Sequence, residues 1–397
     1  MMSLPKRILI LTLSVGSGHM SAAEVIRRAL LDGADNVVVQ VVDALELARR
    51  WFSWVYVYPY WWMLRHAPWM WRRLFERRQR KRHRATAPAW VFRRGCVEVL
   101  RRIKSFAPHE VIVTEIGAAE VAALAKREGW FSAPILAVQT DFQTEPPWVQ
   151  REIDMYCVGS EEARRQLSGW GVSANRILVC GIPIDPSFAL PFEVPELAQA
   201  LGLDPQRPIV LVMGGGMGPA PLDAIVECLQ LCGMPLQVVA VAGHDPQMLA
   251  RLEQLRGRAA LELRTFGWTD NVPELMAVAD LLITKPGGVT SAEALAAGLP
   301  MLLTHPIPGP EERHLRYLVE EGVALYARRL EDVPGLTAQL LSHKVRLEGM
   351  ACRARELARP GAAHAVAQVS RALLDRGASM DLLAPLSTNR GESAYLM

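Results

Sequence analysis

The sequence predicts an α/β protein made of two doubly wound domains that face each other across a cleft. Short runs rich in Val, Ile and Leu alternate with amphipathic segments along most of the 397 residues. The apolar runs form two successive series of six, and a proline-rich stretch without a strand signal separates the series. Buried parallel sheets that are covered by helices on both faces have this pattern.

The predicted strands are short in both series. The first six are RILILTL, VVVQVVD, EVIVTE, PILAVQT, MYCVGS and RILVCG, and the second six are PIVLVMGGG, LQVVAVAG, LELRTFG, LLITKPG, PMLLTHP and VALYAR. Amphipathic segments such as EEARRQLSGW and EERHLRYLVEEG predict the covering helices. A ligand of a doubly wound domain lies beyond the carboxyl ends of its strands, so two facing domains predict one shared cleft.

The proline-rich stretch sets the predicted domain boundaries. We predict a first domain over residues 1–187, a linker over 188–205 and a second domain over 206–355. A further amphipathic helix is predicted within 356–377, followed by a loose tail over 378–397.

Composition excludes several classes of protein. The net charge of +3 is too small to indicate a nucleic-acid-binding protein by itself. Most of the six cysteines lie in apolar runs, which predicts buried free thiols, no zinc site and a reducing, cytoplasmic environment. We find no signal-peptide pattern and no apolar run near the ~20 residues that cross a bilayer.

Residues 51–84, here called the aromatic–basic segment, interrupt the α/β alternation. The segment holds six of the eleven tryptophans, and between Arg65 and Arg84 it has nine Lys or Arg with Glu76 as the single acid. Trp and Tyr favour the headgroup level of a membrane and clustered cations attract anionic lipids, so we predict an interfacial patch. A helical insertion with a solvated basic face is the alternative, and nucleic acid is a weaker rival partner.

Three glycine-rich turns between strands and helices favour a bound nucleotide diphosphate. They are SVGSGH, VMGGGMG and TKPGGVTSAE, and none completes a dinucleotide or P-loop motif. Each turn can present backbone N–H groups at a helix N-terminus to a phosphate. In the third turn the Thr290 hydroxyl can reach a phosphate, and Glu293 can accept hydrogen bonds from ribose hydroxyls.

Motifs in both halves resemble one enzyme family. The stretch TFGWTDNVPELMAVADLLITKPGGVTSAEALAAG strongly resembles the nucleotide-sugar half of the diacylglycerol glycosyltransferase and monogalactosyldiacylglycerol synthase family, a glycosyltransferase family 28-like group. SVGSGHMSAAEVIRRAL, YPYWWMLRHAPWMWRRLFE and VQTDFQTEPPWV are similar to family segments in the first half. The resemblance covers roughly residues 6–322 in the right order.

The resemblance implies a GT-B fold with two Rossmann-like domains and a last helix that crosses back onto the first domain. It implies an inverting hexosyltransferase that moves a hexose from a UDP-sugar to a lipid hydroxyl in glycolipid synthesis, without a metal or other cofactor. The implied donor site has a diphosphate held by Thr290, a ribose held by Glu293 and a uracil flanked by the 266–268 segment. Its predicted residues are Gly18, Gly216, Phe266, Trp268, Gly287, Gly288, Thr290, Glu293, Glu311 and Glu312, of which the last two would reach the sugar.

Transfer to a hydroxyl also requires a base. His19 is the candidate, because a neutral imidazole can accept a proton near neutral pH. Asp141 is the second candidate, either as the group that orients the base or as the base itself. A capping or phosphate-contacting His19 and an Asp141 that only shapes a turn remain the alternatives. Helix N-termini at Gly18 and Gly288 would stabilise the leaving UDP.

The resemblance assigns the lipid acceptor and the membrane contact to the first domain. The predicted residues are Trp54, Trp61, Trp62, His66, Trp69, Arg72, Arg73 and Trp148. We expect a cytoplasmic protein bound peripherally to the anionic inner face of the plasma membrane, with no nucleic-acid partner. A structural role explains His66 about as well.

Departures from the family pattern leave the substrates open. Pro310 and His314 replace a Gln and an Asn of the family's sugar motif, so the hexose is open. A family histidine is replaced near Glu145, so a lipid other than diacylglycerol stays possible. Two alternatives are a glycosyltransferase with a peptidoglycan-precursor or small-molecule acceptor, and a nucleotide-sugar epimerase or hydrolase that would use carboxylates such as Glu115 and Glu145.

Overall fold

Two six-stranded parallel sheets form the framework of the protein. The structure is a computed structural model that describes residues 5–33, 36–82, 84–215, 220–256 and 261–375. The first sheet has the order β2-β1-β3-β4-β5-β6. Its strands are β1 Lys6–Thr12, β2 Val37–Asp43, β3 Glu110–Val113, β4 Ile135–Val138, β5 Met155–Val158 and β6 Ile177–Val179.

The second sheet has the order β12-β11-β10-β7-β8-β9. Its strands are β7 Ile209–Met213, β8 Gln237–Val241, β9 Glu262–Phe266, β10 Leu281–Thr284, β11 Met301–Leu303 and β12 Ala324–Tyr326. Each of the twelve strands lies in one of the predicted runs, so the predicted fold class is confirmed. The central strands β3, β4, β5, β7, β8, β10 and β11 are wholly buried, because helices cover both faces of each sheet.

The strand orders place the three glycine-rich turns where ligands bind in such sheets. The direction of chain progression reverses between β1 and β3 in the first sheet and between β7 and β10 in the second. The three turns follow β1, β7 and β10 directly. A crevice opens at such switch points beyond the carboxyl ends of the strands.

Nine helices belong to the described part of the first half. They are α1 Ser17–Leu31, α2 Ala44–Leu47, α3 Arg50–Phe52, α4 Tyr58–His66, α5 Pro68–Lys81, α6 Ala89–Gly95, α7 Val97–Phe106, α8 Ile116–Arg127 and α9 Glu161–Gly169. The aromatic–basic segment is helical, with a π-helical turn over Ser53–Val57 between α3 and α4. Pro68 begins α5, a position where its missing N–H costs no intrahelical hydrogen bond.

Helices of the second half cover the second sheet, and the last one leaves it. They are α10 Val194–Ala200, α11 Leu222–Leu229, α12 Pro246–Arg256, α13 Val272–Val278, α14 Gly288–Ala297, α15 Pro310–Glu320, α16 Asp332–Ser342, α17 Lys344–Leu357 and α18 Ala362–Asp375. Helix α10 lies inside the predicted linker and buries Ala198 in the core of the second half. The predicted tail, 378–397, lies outside the described residues.

Helix α18 packs on the first sheet. Val366 and Ala367 share a buried cluster with Ile26 of α1. Arg371 donates hydrogen bonds to the carbonyl oxygens of Ala29 and Asp32 at 3.3 and 3.1 Å. The end of the second half is therefore attached to the first half, which keeps the two sheets on either side of one cleft.

Candidate active site

A cavity of about 840 Å³ lies between the two halves, and residues of both halves line it. The turn before α1 meets the N-terminal turn of α14 here. A Cβ atom on Gly18 would lie 3.1 Å from Cγ2 of Val289, and one on Gly288 would collide with the carbonyl oxygen of Thr140. Both glycines are therefore needed for close approach, which explains two of the predicted glycine positions.

The N-termini of α1 and α14 keep backbone N–H groups available at this cavity. Their N-cap residues are Gly16 and Gly287, and neither helix has a side-chain cap or an acidic residue in its first turn. The first N–H groups of a helix have no partner within the helix and carry partial positive charge. The two turns can therefore bind an anion between the halves.

Lys285 brings an ammonium group to this cavity, and the sequence analysis did not identify it. Its ammonium group forms an ion pair with Glu311, and both side chains are almost fully buried. Nζ lies 3.5 Å from the Cβ position of Gly287, and Cε lies 3.6 Å from that of Gly215. The sequence signal for this residue was a lysine directly before a Pro-Gly-Gly turn. Sequence alone does not show that Lys285 pairs with the buried Glu311 of α15.

The other predicted donor residues divide into those that line the cavity and those that do not. Thr290, Glu293 and Trp268 line it. Burial raises the pKa of Glu293 to about 7, and the nearby Asp185 carboxylate adds to the rise. The Trp268 ring is more than half exposed and stacks on His244 with 4.0 Å between centroids. Gly216 lies outside the described residues.

Phe266 is not among the residues that line the cavity. Its carbonyl accepts the N–H of Ala242 at 2.8 Å, and its ring packs against the core of the second half. Contact with a uracil at this position would therefore depend on neighbouring residues.

Glu311 and Glu312, both predicted to reach a sugar, lie in different places. Glu311 lines the cavity, where it pairs with Lys285 and accepts the N–H of Ile307 at 2.8 Å. Glu312 does not line the cavity. Its carboxylate caps α15 by accepting the N–H of Gly309 at 2.9 Å, and it also forms an ion pair with Arg72. Of the two predicted sugar contacts, therefore, only Glu311 lines the cavity.

His19 lies in the first turn of α1, and its hydrogen bonds determine its tautomer. Nδ1 lies 3.2 Å from the carbonyl oxygen of Thr114 and 2.8 Å from Oγ1 of Thr140. A carbonyl oxygen can only accept, so Nδ1 carries the proton and Nε2 carries the lone pair. Burial lowers the pKa of His19, although the Asp141 carboxylate opposes the shift. The ring is therefore neutral near pH 7, with Nε2 available as a base.

Asp141 follows β4, in the same half as His19, and also lines the cavity. Its Oδ1 lies 3.3 Å from Nε2 of His314. Burial raises the pKa of Asp141 to about 6, the positive charge of His19 opposes the rise, and Glu145 adds to it. The two predicted catalytic residues thus line one cavity with opposite pKa shifts.

The predicted membrane residues are mostly exposed. Trp54 and Trp69 are 69% and 60% exposed. Trp62, His66, Arg72 and Arg73 are exposed as well, whereas Trp61 lines the cavity. The guanidinium of Arg73 lies 6.0 Å from the ring centroid of Trp69. Every helix of the described ranges is too short or too polar to cross a bilayer.

Trp148 differs from the other predicted membrane residues because it is buried in the first core. It is 1% exposed, and its carbonyl oxygen accepts the hydroxyl of Tyr156 at 3.0 Å. Trp148 lines the cavity wall and has no surface that could touch a membrane. The aromatic ring fills core volume between β5 and α8, and sequence pattern alone does not distinguish this from a surface role.

Helix α5 connects the aromatic–basic segment to both walls of the cavity. Nε1 of Trp71 donates to the carbonyl oxygen of Pro308 at 2.9 Å, and Phe75 packs against Gly309. On the other side Arg78 forms a buried ion pair with Glu145. Arg78 was predicted as part of a basic surface, but its contacts place it inside the protein.

Two family models match the chain, one in each half. The monogalactosyldiacylglycerol (MGDG) synthase model matches residues 19–184. The glycosyltransferase family 28 C-terminal domain matches residues 209–362. Each half of the chain is therefore similar to a different glycosyltransferase domain model. The resemblance inferred from the motifs is therefore confirmed, and the glycine turns and His19 lie within, or directly beside, the two matched domains.

The sequence is also similar to proteins named processive diacylglycerol beta-glucosyltransferase. The protein of that name from Bacillus mycoides is 32% identical over 237 residues, which is 59% of this chain and 61% of the relative. One from Bacillus cereus is 29% identical over 346 residues, 86% of this chain and 87% of the relative. The first match thus spans less than two thirds of the relative's length.

Several solved structures share the fold of this protein. MurG of Acinetobacter baumannii has a TM-score of 0.61 at 17% identity, over 93% of this chain and 100% of MurG. HepE of Anabaena in complex with UDP-glucose has a TM-score of 0.56 at 14% identity, over 93% of this chain and 98% of HepE. The UDP-GlcNAc 2-epimerase of Neisseria meningitidis bound to UDP-GlcNAc has a TM-score of 0.58 at 14% identity, over 92% of this chain and 100% of the epimerase. The architecture is GT-B, as predicted.

The described residues contain no cluster of three or more His, Cys, Asp or Glu side chains that could hold a metal ion. Positive groups that line the cavity include the two helix N-termini, Lys285, Arg28 and Arg78.

Proposed function

We propose that this protein is a membrane-associated, inverting hexosyltransferase that moves a hexose from a UDP-sugar to the hydroxyl of a diacylglycerol-type lipid. The observation that carries the proposal is the meeting of the α1 and α14 N-terminal turns around His19. This arrangement puts an anion site and a neutral base in the same cavity. The names of the relatives and the family models support the same substrate classes.

The donor would lie along the second half. In this proposal the diphosphate lies at the Gly287–Gly288 turn, where it binds the N–H group of Gly288, the hydroxyl of Thr290 and the ammonium of Lys285. Glu293 accepts hydrogen bonds from the ribose, and Trp268 covers the uracil edge. Glu311, fixed beside Lys285, accepts hydrogen bonds from the hexose hydroxyls.

The transfer is a single displacement at the anomeric carbon. The lipid oxygen forms the new bond to that carbon while the bond from the carbon to the β-phosphate oxygen of UDP breaks. Nε2 of His19 takes the proton of the lipid hydroxyl. The negative charge that develops on the leaving diphosphate is stabilised by the N-terminus of α14 and by Lys285. Attack opposite to the leaving group inverts the configuration.

The lipid would enter through the aromatic–basic segment. Tyr60, Trp61, Trp71 and Leu74 form an apolar wall of the cavity that suits an acyl chain. The exposed Trp54, Trp62 and Trp69 would lie at headgroup level, with Arg73 and its neighbours against anionic lipids. The cytoplasmic leaflet of the plasma membrane is anionic, so we place the protein peripherally on that face.

A nucleotide-sugar epimerase is the second candidate, because Glu115 and Glu145 line the cavity as additional carboxylates. Both have contacts that favour other roles. Glu115 accepts the N–H of Ala118 at the start of α8, and Glu145 pairs with Arg78. Transfer to a lipid explains the apolar wall, which an epimerase would not need.

A product assay separates the candidates. The purified protein is incubated with radiolabelled UDP-glucose, UDP-galactose or UDP-N-acetylglucosamine and anionic vesicles that contain diacylglycerol. Transfer predicts label in the lipid fraction with one of the donors. An isomerised sugar nucleotide would indicate the epimerase. Label in a water-soluble product, or no product with any donor, would contradict lipid glycosylation.

A further inference from the structure

Residues 305–309, here called the proline loop, connect β11 to α15 and hold two carboxylates of that helix. Three residues in 306–310 have no N–H group, namely Pro306, Pro308 and Pro310. The two remaining backbone donors both reach α15 carboxylates. Ile307 donates to Oε2 of Glu311 at 2.8 Å, and Gly309 donates to Oε2 of Glu312 at 2.9 Å. The position of the loop therefore sets the direction of these side chains.

Glu311, the proposed ligand of the hexose, is oriented by two donors. Its Oε1 accepts a hydrogen bond from the ammonium group of Lys285, and its Oε2 accepts the N–H of Ile307. A carboxylate has about four lone-pair positions, so both oxygens can still accept hydrogen bonds from sugar hydroxyls. Displacement of the proline loop would remove one of the two restraints on the carboxylate.

The backbone of the proline loop needs support from outside the loop. His305 has a φ of 45° and Gly309 a φ of 90°, so both ends lie in the left-handed region. This region is unfavourable for a residue with a Cβ atom, such as His305. Such a conformation persists where the surrounding structure fixes it.

Helix α5 of the first half supplies this support across the cleft. Nε1 of Trp71 donates to the carbonyl oxygen of Pro308 at 2.9 Å. A Cβ atom on Gly309 would lie 2.8 Å from the ring of Phe75, so the ring packs directly against the loop backbone. Residues 71 and 75 are four apart and share one face of the helix.

Trp71 is itself fixed by side chains of the first half. The ring of Tyr60 meets it edge to face, with 4.9 Å between centroids. The guanidinium of Arg78 lies 5.8 Å from the ring centroid of Trp71 and 5.6 Å from that of Phe75. Arg78 is held in turn by its buried ion pair with Glu145. A rigid part of the first half thus reaches the proline loop through Trp71.

We propose that Trp71 is a positioning residue for the donor hexose: its indole N–H holds the proline loop, and the loop orients Glu311 towards the sugar. The helix on the lipid side of the cavity thereby completes the hexose subsite across the cleft. UDP without a sugar does not reach Glu311, so its affinity should not depend on Trp71. This inference deepens the proposed function and rests on it for the identity of the donor.

Titration calorimetry of Trp71→Phe tests the proposal. The substitution keeps an aromatic ring and removes the indole N–H. Wild type and variant are titrated with UDP, UDP-glucose, UDP-galactose and UDP-N-acetylglucosamine in the absence of lipid. We expect the affinity for the sugar nucleotide that the wild type prefers to fall by about three- to tenfold, as for one lost hydrogen bond. The affinity for UDP should stay within about twofold.

The difference between the two ligands separates positioning from a structural role. An equal loss of affinity for UDP and for the sugar nucleotide would indicate a merely structural tryptophan and overturn the proposal. Unchanged affinity for both would overturn it as well. Trp90→Phe, which changes an exposed tryptophan of α6, is the matched control and should alter neither affinity.

A double variant tests whether Trp71 acts through Glu311. Glu311→Ala should lower the affinity for the sugar nucleotide, and adding Trp71→Phe should then cause little further loss. Losses that add in the double variant would contradict the proposed route. UDP binding reports the folding of each variant, and Glu311→Gln replaces the Ala variant if that variant does not fold.

Hydrogen exchange tests the loop contact without any nucleotide. The amide of Ile307 should exchange faster in Trp71→Phe than in the wild type, and an unchanged rate would overturn the proposed contact. Wild-type protein that binds UDP but none of the three sugar nucleotides would contradict the proposed function. That result is distinct from a failure of the inference alone, in which sugar nucleotides bind wild type and Trp71→Phe equally well.

Discussion

The turn at α14 and the aromatic–basic segment form opposite sides of the same cavity, but the sequence determines them in different ways. The α14 turn follows a buried strand directly, so the positions of Gly287, Gly288 and Thr290 follow from local backbone geometry. Helices α4 and α5 lie outside both sheets, and the face that each residue presents depends on contacts with the second half. We therefore expect each proposed donor residue to affect UDP binding or turnover through one specific contact. The proposed membrane residues should affect membrane binding through many weak contacts.

The largest effect is expected for the base between these two regions. His19→Ala should lower kcat by about 10²–10⁴-fold, because a positioned general base contributes that much. UDP affinity should stay within about threefold, since the anion site consists of other groups. Single-turnover rates and calorimetric UDP titrations measure the two effects. Normal turnover by this variant would remove His19 from the mechanism. The control is His343→Asn, which changes an exposed histidine between α16 and α17.

The second-largest effect is expected for Lys285, in the proposed binding site of the UDP donor. Lys285→Gln should lower kcat/KM by about 10²-fold and weaken UDP binding, because the leaving diphosphate loses its cation. The substitution also leaves the buried Glu311 carboxylate without its cation, which destabilises the fold.

A double variant separates these two consequences. Lys285→Gln with Glu311→Gln should recover thermal stability but not UDP affinity. Recovery of affinity would show that the ammonium only neutralises Glu311. Lys344→Gln, which removes an exposed lysine, is the matched control and should change neither quantity.

A smaller effect is expected from the aromatic–basic segment. Replacement of Trp54, Trp62 and Trp69 by Ala should reduce retention on anionic vesicles by about tenfold, since each ring contributes only part of a distributed contact. UDP affinity in solution should not change. Flotation through a density gradient measures retention. Leu231→Ala removes an equally exposed apolar side chain elsewhere, and an equal loss in that control would contradict a specific membrane face.

The smallest effect is a pH dependence on the donor side. Burial raises the pKa of Glu293 to about 7, so its ionised fraction grows as the pH rises through that value. Ribose hydroxyls donate to the ionised form, and UDP affinity should therefore increase a few-fold between about pH 6 and 8. Glu293→Gln should remove this increase. The same slope in both proteins would exclude Glu293 as the ribose ligand.

Much of the fold could be predicted because its determinants are local. The twelve strands appear as short apolar runs, and the glycine turns follow three of them. The cavity residues next to those turns, such as His19 and Thr290, could be predicted for the same reason.

Other positions depend on contacts between residues far apart in the chain. Arg78 has the composition of a surface cation but pairs with Glu145, 67 residues away. Trp148 is an aromatic residue in a loop, yet the packing of the first core buries it. Glu312 resembles its neighbour Glu311 in sequence, but a contact from α5 turns it away from the cavity. Composition and spacing contain no information about such partners.

The anomeric configuration of the product tests the account most directly. The purified protein, diacylglycerol vesicles and a UDP-α-hexose are incubated, and the lipid product is examined by proton NMR. The account predicts a glycolipid with a β linkage, because attack from the His19 side displaces UDP in one step. An α-linked glycolipid, or no glycolipid at all, would contradict it.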